Sequence, residues 1–225
     1  MFENLTIAPG IAFILDMDGV IVESTDFHEK AWDSYLSRFG IPAKDVMARM
    51  LGKRNDQIVR EIWGNDLPAD QVFRHGADKE QLYREMIAPV LQQHLVPGVC
   101  EFVRAAQSLG VPIALATNAE APNVEFVLGC AGIRSLFRTT VDGGQVTNAK
   151  PDPEVFLTAA ARLGVAPCNC VVFEDSPGGM QAAKSAGAHL AGLLTTLTAA
   201  PLADIAVPNF LDPKLLPWLS TLQPR

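Results

Sequence analysis

The chain has 225 residues, of which 48% are hydrophobic, and carries a formal net charge of −7. That length allows one sizeable core with a smaller lobe beside it, and the negative charge argues against a general affinity for nucleic acid or an anionic membrane surface. An anionic ligand would need a local cation.

Ile11–Leu15 is a wholly apolar run that stops at Asp16-Met17-Asp18-Gly19. This reads as a buried parallel strand ending in a polar loop. From residue 23 the pattern changes to amphipathic helices, Phe27–Phe39, Asp56–Trp63 and Asp78–Leu91, punctuated by Gly40, Pro42, Gly52, Gly64 and Pro68. No buried strand is evident there, so residues 23–94 are expected to form a helical cap. Its exits lie near Val22 and Pro97-Gly98, and residues 1–22 with 95–225 form the core.

The strand pattern then resumes. Val111–Ala116 stops at Thr117-Asn118, Cys170–Phe173 at Glu174-Asp175, and Leu190–Leu194 at Thr195-Thr196. Helical segments lie between them, Pro153–Leu163 closed by Gly164 and Gly178–Ala186 closed by Gly187, each glycine suited to a left-handed cap. The tail from Pro201 is proline-rich and shows no clear period. Strands alternating with helices imply an α/β fold, a parallel sheet with helices on both faces, and ligands in such sheets bind outside the strands' carboxyl ends.

Four scattered cysteines, Cys100, Cys130, Cys168 and Cys170, make no disulfide framework, and the four histidines are dispersed. These features and the lack of a leader or of a run near the ~18 apolar residues of a spanning helix lead us to expect a soluble, cytoplasmic protein without structural zinc.

The polar strand ends hold what phosphoryl transfer requires: a nucleophile, a proton donor for the leaving oxygen, a cation, and donors that hold the phosphoryl group in line. Asp16 can attack phosphorus and form an acyl-phosphate. Asp18 can act as general acid and then as general base. Carboxylates are hard ligands suited to magnesium, with Asp16 and Asp175 the leading side chains and Glu174 a direct or water-mediated ligand. Thr117 and Asn118 offer donors to phosphoryl oxygens, and Lys150 in Ala149-Lys150-Pro151-Asp152-Pro153 can offset the repulsion between Asp16 and phosphate. A lone Asp-x-Asp is common in surface turns. Specificity lies in the order of the four elements, three of them at predicted strand ends and the lysine before a helix.

Those elements, Asp16-Met17-Asp18-Gly19-Val20, Thr117-Asn118, Lys150-Pro151-Asp152-Pro153 and Glu174-Asp175-Ser176-Pro177-Gly178-Gly179, resemble the haloacid-dehalogenase superfamily, in its subgroup similar to beta-phosphoglucomutase and phosphoglycolate phosphatase. The resemblance spans essentially the whole chain. It implies a Rossmann-like core, a helical cap that opens and closes, and magnesium held by the Asp16 carboxylate, the Asp18 main-chain carbonyl and the Asp175 carboxylate. The dehalogenases of the superfamily lack the second aspartate, so Asp18 points to phosphoryl transfer.

Within the cap, His28 before Ala31-Trp32 resembles the cap-entry pattern that places a histidine near the acid aspartate, while Trp32 reads as cap core. Gly52-Lys53-Arg54-Asn55 resembles the substrate-specificity loop, and Lys79 matches a cap lysine that reaches the substrate. The expected activity is hydrolysis of a small phosphorylated metabolite, a sugar phosphate or phosphoglycolate-like ester, by a monomer or small homo-oligomer. The alternatives are a phosphosugar mutase and a non-catalytic phosphate-binding module. The mutase pattern looks to build a distal phosphate site from an arginine three residues after the cap-loop glycine and a Ser-Lys-Asn run. Here those positions are Asn55 and Ala119-Glu120-Ala121.

Overall fold

The computed structural model describes residues 2–44 and 53–225. Gly52 of the expected specificity loop lies outside them. Six strands, β1 (Ala12–Leu15), β2 (Ile113–Ala116), β3 (Thr139–Val141), β4 (Cys170–Glu174), β5 (His189–Leu193) and β6 (Ile205–Val207), form one sheet in the order β3-β2-β1-β4-β5-β6. Every pairing is parallel. β1, β2 and β4 are buried along their whole length, which is why they read as unbroken apolar runs.

Successive side chains of β1 serve opposite layers. Phe13 and Leu15 face a cluster completed by helices α4 (Val99–Ser108), α5 (Ala121–Ala131) and α8 (Leu215–Thr221). Ala12 and Ile14 face the one completed by α6 (Glu154–Leu163) and α7 (Pro177–Ser185). The chain leaves β1 toward β2 on one side and reaches β4 on the other, so the sheet's topological switch lies beside β1. Leu15 pairs with both Leu115 and Phe173, a register that sets the ends of β1, β2 and β4 at one level.

Helices α1 (Thr25–Ser37), α2 (Asn55–Trp63) and α3 (Ala69–Ile87) form the inserted helical cap, with its own core of Trp32, Tyr35, Leu36, Ile58, Val59 and Val72. The two connecting segments run side by side: Glu23 N–H donates to the His94 carbonyl at 2.8 Å and Val96 N–H to the Ile21 carbonyl at 3.0 Å.

Three elements depart from the sequence expectation. α3 begins nine residues before Asp78 and stops at Ile87, with a 3-10 turn over Leu91–His94. Its first half exposes even Phe73, which blurs the apolar period, and Gly76 lets Asn55 approach so closely that a β-carbon there would lie 3.1 Å from it. β3 and β6 are three-residue strands at the two sheet edges, only partly buried and too short to show a period. β6 and α8 supply the order in the proline-rich tail.

Candidate active site

Asp16 follows β1 directly, and its N–H donates to the Phe173 carbonyl at 3.0 Å, which ties it to the end of β4. Lys150 reaches it from the loop before α6. Its Nζ donates to Asp16 Oδ1 at 2.8 Å, to Glu174 Oε1 at 2.7 Å and to the Ala116 carbonyl at 3.2 Å, and sits 4.7 Å from the centre of the Phe156 ring. Burial disfavours the ammonium, but the two carboxylates outweigh it and raise the Lys150 pKa.

Glu174 is fully buried, and its second oxygen accepts from the N–H groups of Asp175 and Ser176, both at 2.8 Å, and from Ser176 Oγ at 3.0 Å. Ser176 Oγ in turn caps α7 by accepting from Gly179 N–H at 3.0 Å. A β-carbon at Gly179 would lie 1.7 Å from Glu174 Oε1, so only glycine leaves room for this carboxylate. Asp175 accepts a hydrogen bond from the Thr196 hydroxyl. Gly19 has φ +76°, and a β-carbon there would stand 1.9 Å from Asp175 Oδ2.

Asp16, Glu174 and Asp175 each present an oxygen within 4.8 Å of the others, and all three are buried. Burial pushes the Asp16 carboxyl up, Lys150 pulls it down, and Glu174 and Asp18 push it up again, leaving it at about 7. Burial, then the charges of Glu174 and Asp16, push Asp175 well above the usual carboxylate range. Three buried carboxylates against one lysine leave an excess of negative charge that a hard cation relieves, so the donor set fits a metal ion.

Asp18 lies across the turn. Ser24 Oγ donates to its Oδ1 at 2.6 Å and His28 Nε2 lies 3.3 Å from the same oxygen. Burial pushes this carboxyl up, but His28 and the hydrogen bonds from His28 and Ser24 outweigh it and hold Asp18 below its ordinary value. Thr117 is buried at the end of β2, and its Oγ1 accepts from Ala119 N–H at 3.1 Å, so its own hydrogen remains to be donated. The Asn118 side-chain carbonyl accepts from Lys150 N–H at 3.3 Å.

The cap side of the cleft is lined by His28, Trp32, Arg54 and Lys79, among others. The structure thus brings the expected core and cap residues to one cleft, where the cap cations also have protein partners. Lys79 is almost fully buried, its Nζ 2.7 Å from His28 Nδ1 and 2.9 Å from Glu80 Oε1. The Arg54 guanidinium binds Asp56 and the carbonyls of Gly143 and Val146 at 3.0 and 3.2 Å. Sequence reasoning did not single out Ser24, Glu80, Asn123 or Thr196. Thr196 was visible at a strand end. Ser24 finds its partner in Asp18, and Glu80 and Asn123 find each other across 43 residues.

A parallel α/β sheet with carboxylates and a buried lysine gathered at its topological switch defines an enzyme-like centre able to hold a cation and an anion together. The chain belongs to the haloacid dehalogenase-like hydrolase family, whose sequence profile matches residues 12–187. It is 29% identical over 191 residues to the beta-phosphoglucomutase of Bacillus subtilis (strain 168), covering 81% of this chain and 82% of that one. It is 32% identical over 178 residues to the fructose-1-phosphate phosphatase YqaB of Escherichia coli (strain K12), covering 77% and 91%. The crystal structure of beta-phosphoglucomutase from Clostridium difficile shares the fold, with a TM-score of 0.81 at 24% identity over 96% of this chain and 98% of that chain. Among the described residues no helix is long and apolar enough to cross a membrane.

Proposed function

We propose that this chain is a magnesium-dependent phosphatase of small phosphate monoesters that works through an aspartyl-phosphate on Asp16. The observation that carries this reading is the Asp16–Lys150–Glu174 centre, with Asp18 two residues from the nucleophile and tethered by Ser24 and His28. Asp16 and Asp175, with the Asp18 main-chain carbonyl, would hold the magnesium. The oxygens of Glu174 are taken up by Lys150 and the start of α7, which favours a water-mediated part for it. Bound magnesium neutralises charge on the phosphoryl oxygens.

In the first step Asp16 attacks phosphorus in line while the bond to the leaving oxygen breaks, and Asp18 delivers a proton to that oxygen. Asp18 is ionised at rest. A phosphoryl group entering beside it raises its proton affinity, so Asp18 takes up a proton from solvent as the substrate binds. In the second step Asp18 takes a proton from water, which attacks phosphorus and frees Asp16. Lys150 holds the charge on Asp16 in place, and Thr117 and Asn118 donate to the phosphoryl oxygens. Residues 23–94 act as the cap, moving on the paired segments near Val22 and Leu95, with residues 1–22 and 95–225 as the core.

Sugar or polyol phosphates suit the cleft better than phosphoglycolate. Among the described lining residues the cap cations are already paired, Lys53 with Glu61 at 2.5 Å, Arg54 with Asp56 at 2.9 Å and Lys79 with Glu80 at 2.9 Å. A second carboxylate or phosphate meets no uncommitted cation there. The name of the Escherichia coli relative, a fructose-1-phosphate phosphatase, supports the same class. Asn55 Nδ2 donates to Glu120 Oε1 at 2.9 Å, so the two positions where the mutase pattern carries cations hold a bonded amide and carboxylate. This favours the phosphatase over the mutase. Four free cysteines accord with a reducing, cytoplasmic setting.

The test is phosphate release with magnesium from hexose, hexitol, pentose, glycerol and glycolate phosphates, in wild type and Asp16→Asn. Turnover of hexose or hexitol phosphates that vanishes in the variant supports the reading, and wild-type-like turnover by Asp16→Asn sinks it. With beta-glucose 1-phosphate and a trace of glucose 1,6-bisphosphate, inorganic phosphate is expected, whereas rapid glucose 6-phosphate formation without it would identify a mutase.

A further inference from the structure

One of the contacts that seat the cap on the core runs through a buried amide. Asn123, in the first turn of α5, is fully buried. Its nitrogen donates to Glu80 Oε2 at 2.6 Å and its oxygen accepts from Arg84 Nη1 at 2.6 Å. The amide can have only this orientation, because a carboxylate accepts and a guanidinium donates. Glu80 and Arg84 stand four residues apart on α3 and therefore share a face. A core side chain is held between two cap side chains of opposite charge. An aspartate would repel Glu80, a lysine would repel Arg84, and a hydrocarbon would remove the hydrogen bond each makes to this amide.

The contacts continue from Glu80 toward the reacting atoms. Lys79 Nζ bridges Glu80 Oε1 at 2.9 Å and His28 Nδ1 at 2.7 Å, and His28 Nε2 lies 3.3 Å from Asp18 Oδ1. Tyr83 stacks on His28 with ring centres 3.9 Å apart and planes 9° apart, which fixes the tilt of the imidazole. The path leaves the core at α5, crosses the cap, and returns to the core beside the nucleophile. Neither Asn123 nor Arg84 lines the cleft.

We propose that Asn123 and Arg84 form a closure clip, positioning residues that orient the Asp18 carboxylate through Glu80, Lys79 and His28 when the cap seats. This rests on the phosphatase reading, in which Asp18 protonates the leaving oxygen. A clip of this kind serves leaving-group protonation more than binding. Its loss should therefore be felt on alkyl phosphates, whose alkoxide needs the proton, and little on p-nitrophenyl phosphate, whose phenolate departs without one.

The experiment compares kcat/KM for a hexose phosphate and for p-nitrophenyl phosphate in wild type, Asn123→Ala and Arg84→Gln, because kcat/KM reports events up to departure of the leaving group. Amide hydrogen exchange of α3 is followed in parallel. We expect Asn123→Ala to lose about tenfold or more on the hexose phosphate and less than about threefold on the aryl ester, within the range that a positioned acid contributes. α3 should exchange faster without change in α6. Equal losses on both esters, or none on either, overturn the proposal. If Asn123→Ala does not fold, the half-buried Arg84→Gln carries the same comparison with the same pattern required. A wild-type protein that releases phosphate from no ester refutes the functional reading instead. In that event α3 exchange alone judges the clip, and unchanged exchange in the folded variants overturns it.

Discussion

Replacing Glu80 by glutamine should weaken the protein at neutral pH and remove a specific part of its acid sensitivity. The carboxylate is buried and accepts from Lys79 and Asn55 on one oxygen, at 2.9 and 2.8 Å, and from Asn123 on the other at 2.6 Å. Burial pushes it up, but Lys79, His28 and the hydrogen bonds from Lys79 and Asn55 outweigh burial and bring it to about 2 from an ordinary 4.5. A pKa depressed on folding contributes stability that is complete above the unfolded value and is lost as pH falls through the folded one. At ~1.4 kcal/mol per unit the full contribution is about 3 kcal/mol, similar to the cost of removing one partner from a buried ion pair. By pH 3 roughly 2 kcal/mol of it should be gone. Urea denaturation of wild type and Glu80→Gln between pH 7 and pH 3 measures the difference directly. It should be about 3 kcal/mol at neutral pH and shrink to about 1 kcal/mol at the acid end. A difference that stays constant over that range would show that the Lys79–Glu80 pair holds no special charge stabilisation.

Asp18→Asn should keep phosphate binding while turnover falls by roughly 10²–10⁴, the range for a general acid and base, and an equal loss of binding in phosphate titrations would assign Asp18 to ligation alone. Gly19→Ala forces a β-carbon onto Asp175 in left-handed backbone, so it should cost about 2 kcal/mol or more and abolish the rise in Tm on adding magnesium. Lys150→Met leaves Asp16 and Glu174 buried without their shared cation. It should lower stability by about 3–5 kcal/mol, measured by denaturation without metal, with partial recovery in excess magnesium.

The central strands were legible because burial on both faces leaves no polar position until the strand ends. The first polar residues after β1, β2 and β4 are thus also the ones that meet at the switch point. Their local pattern carried Asp16, Asp18, Thr117, Glu174 and Asp175 into the candidate set, and the proline-flanked run before α6 added Lys150. The edge strands β3 and β6 were not legible, since three half-buried residues carry no period. The first half of α3 escaped because its exposed residues hide the apolar stripe.

By itself the sequence determined the α/β alternation, the inserted helical segment and the acidic and basic side chains at the strand ends, all of which depend on patterns a few residues long. Only the tertiary structure decided which partners the cap cations have. Arg54 is bound to carbonyls 89 and 92 residues away, Lys79 is turned onto His28 and Glu80, and Asn123 clasps Glu80 and Arg84 across 43 and 39 residues. Such partners are set by how two separately packed layers dock, and a buried charge takes whichever counter-charge that docking places within reach.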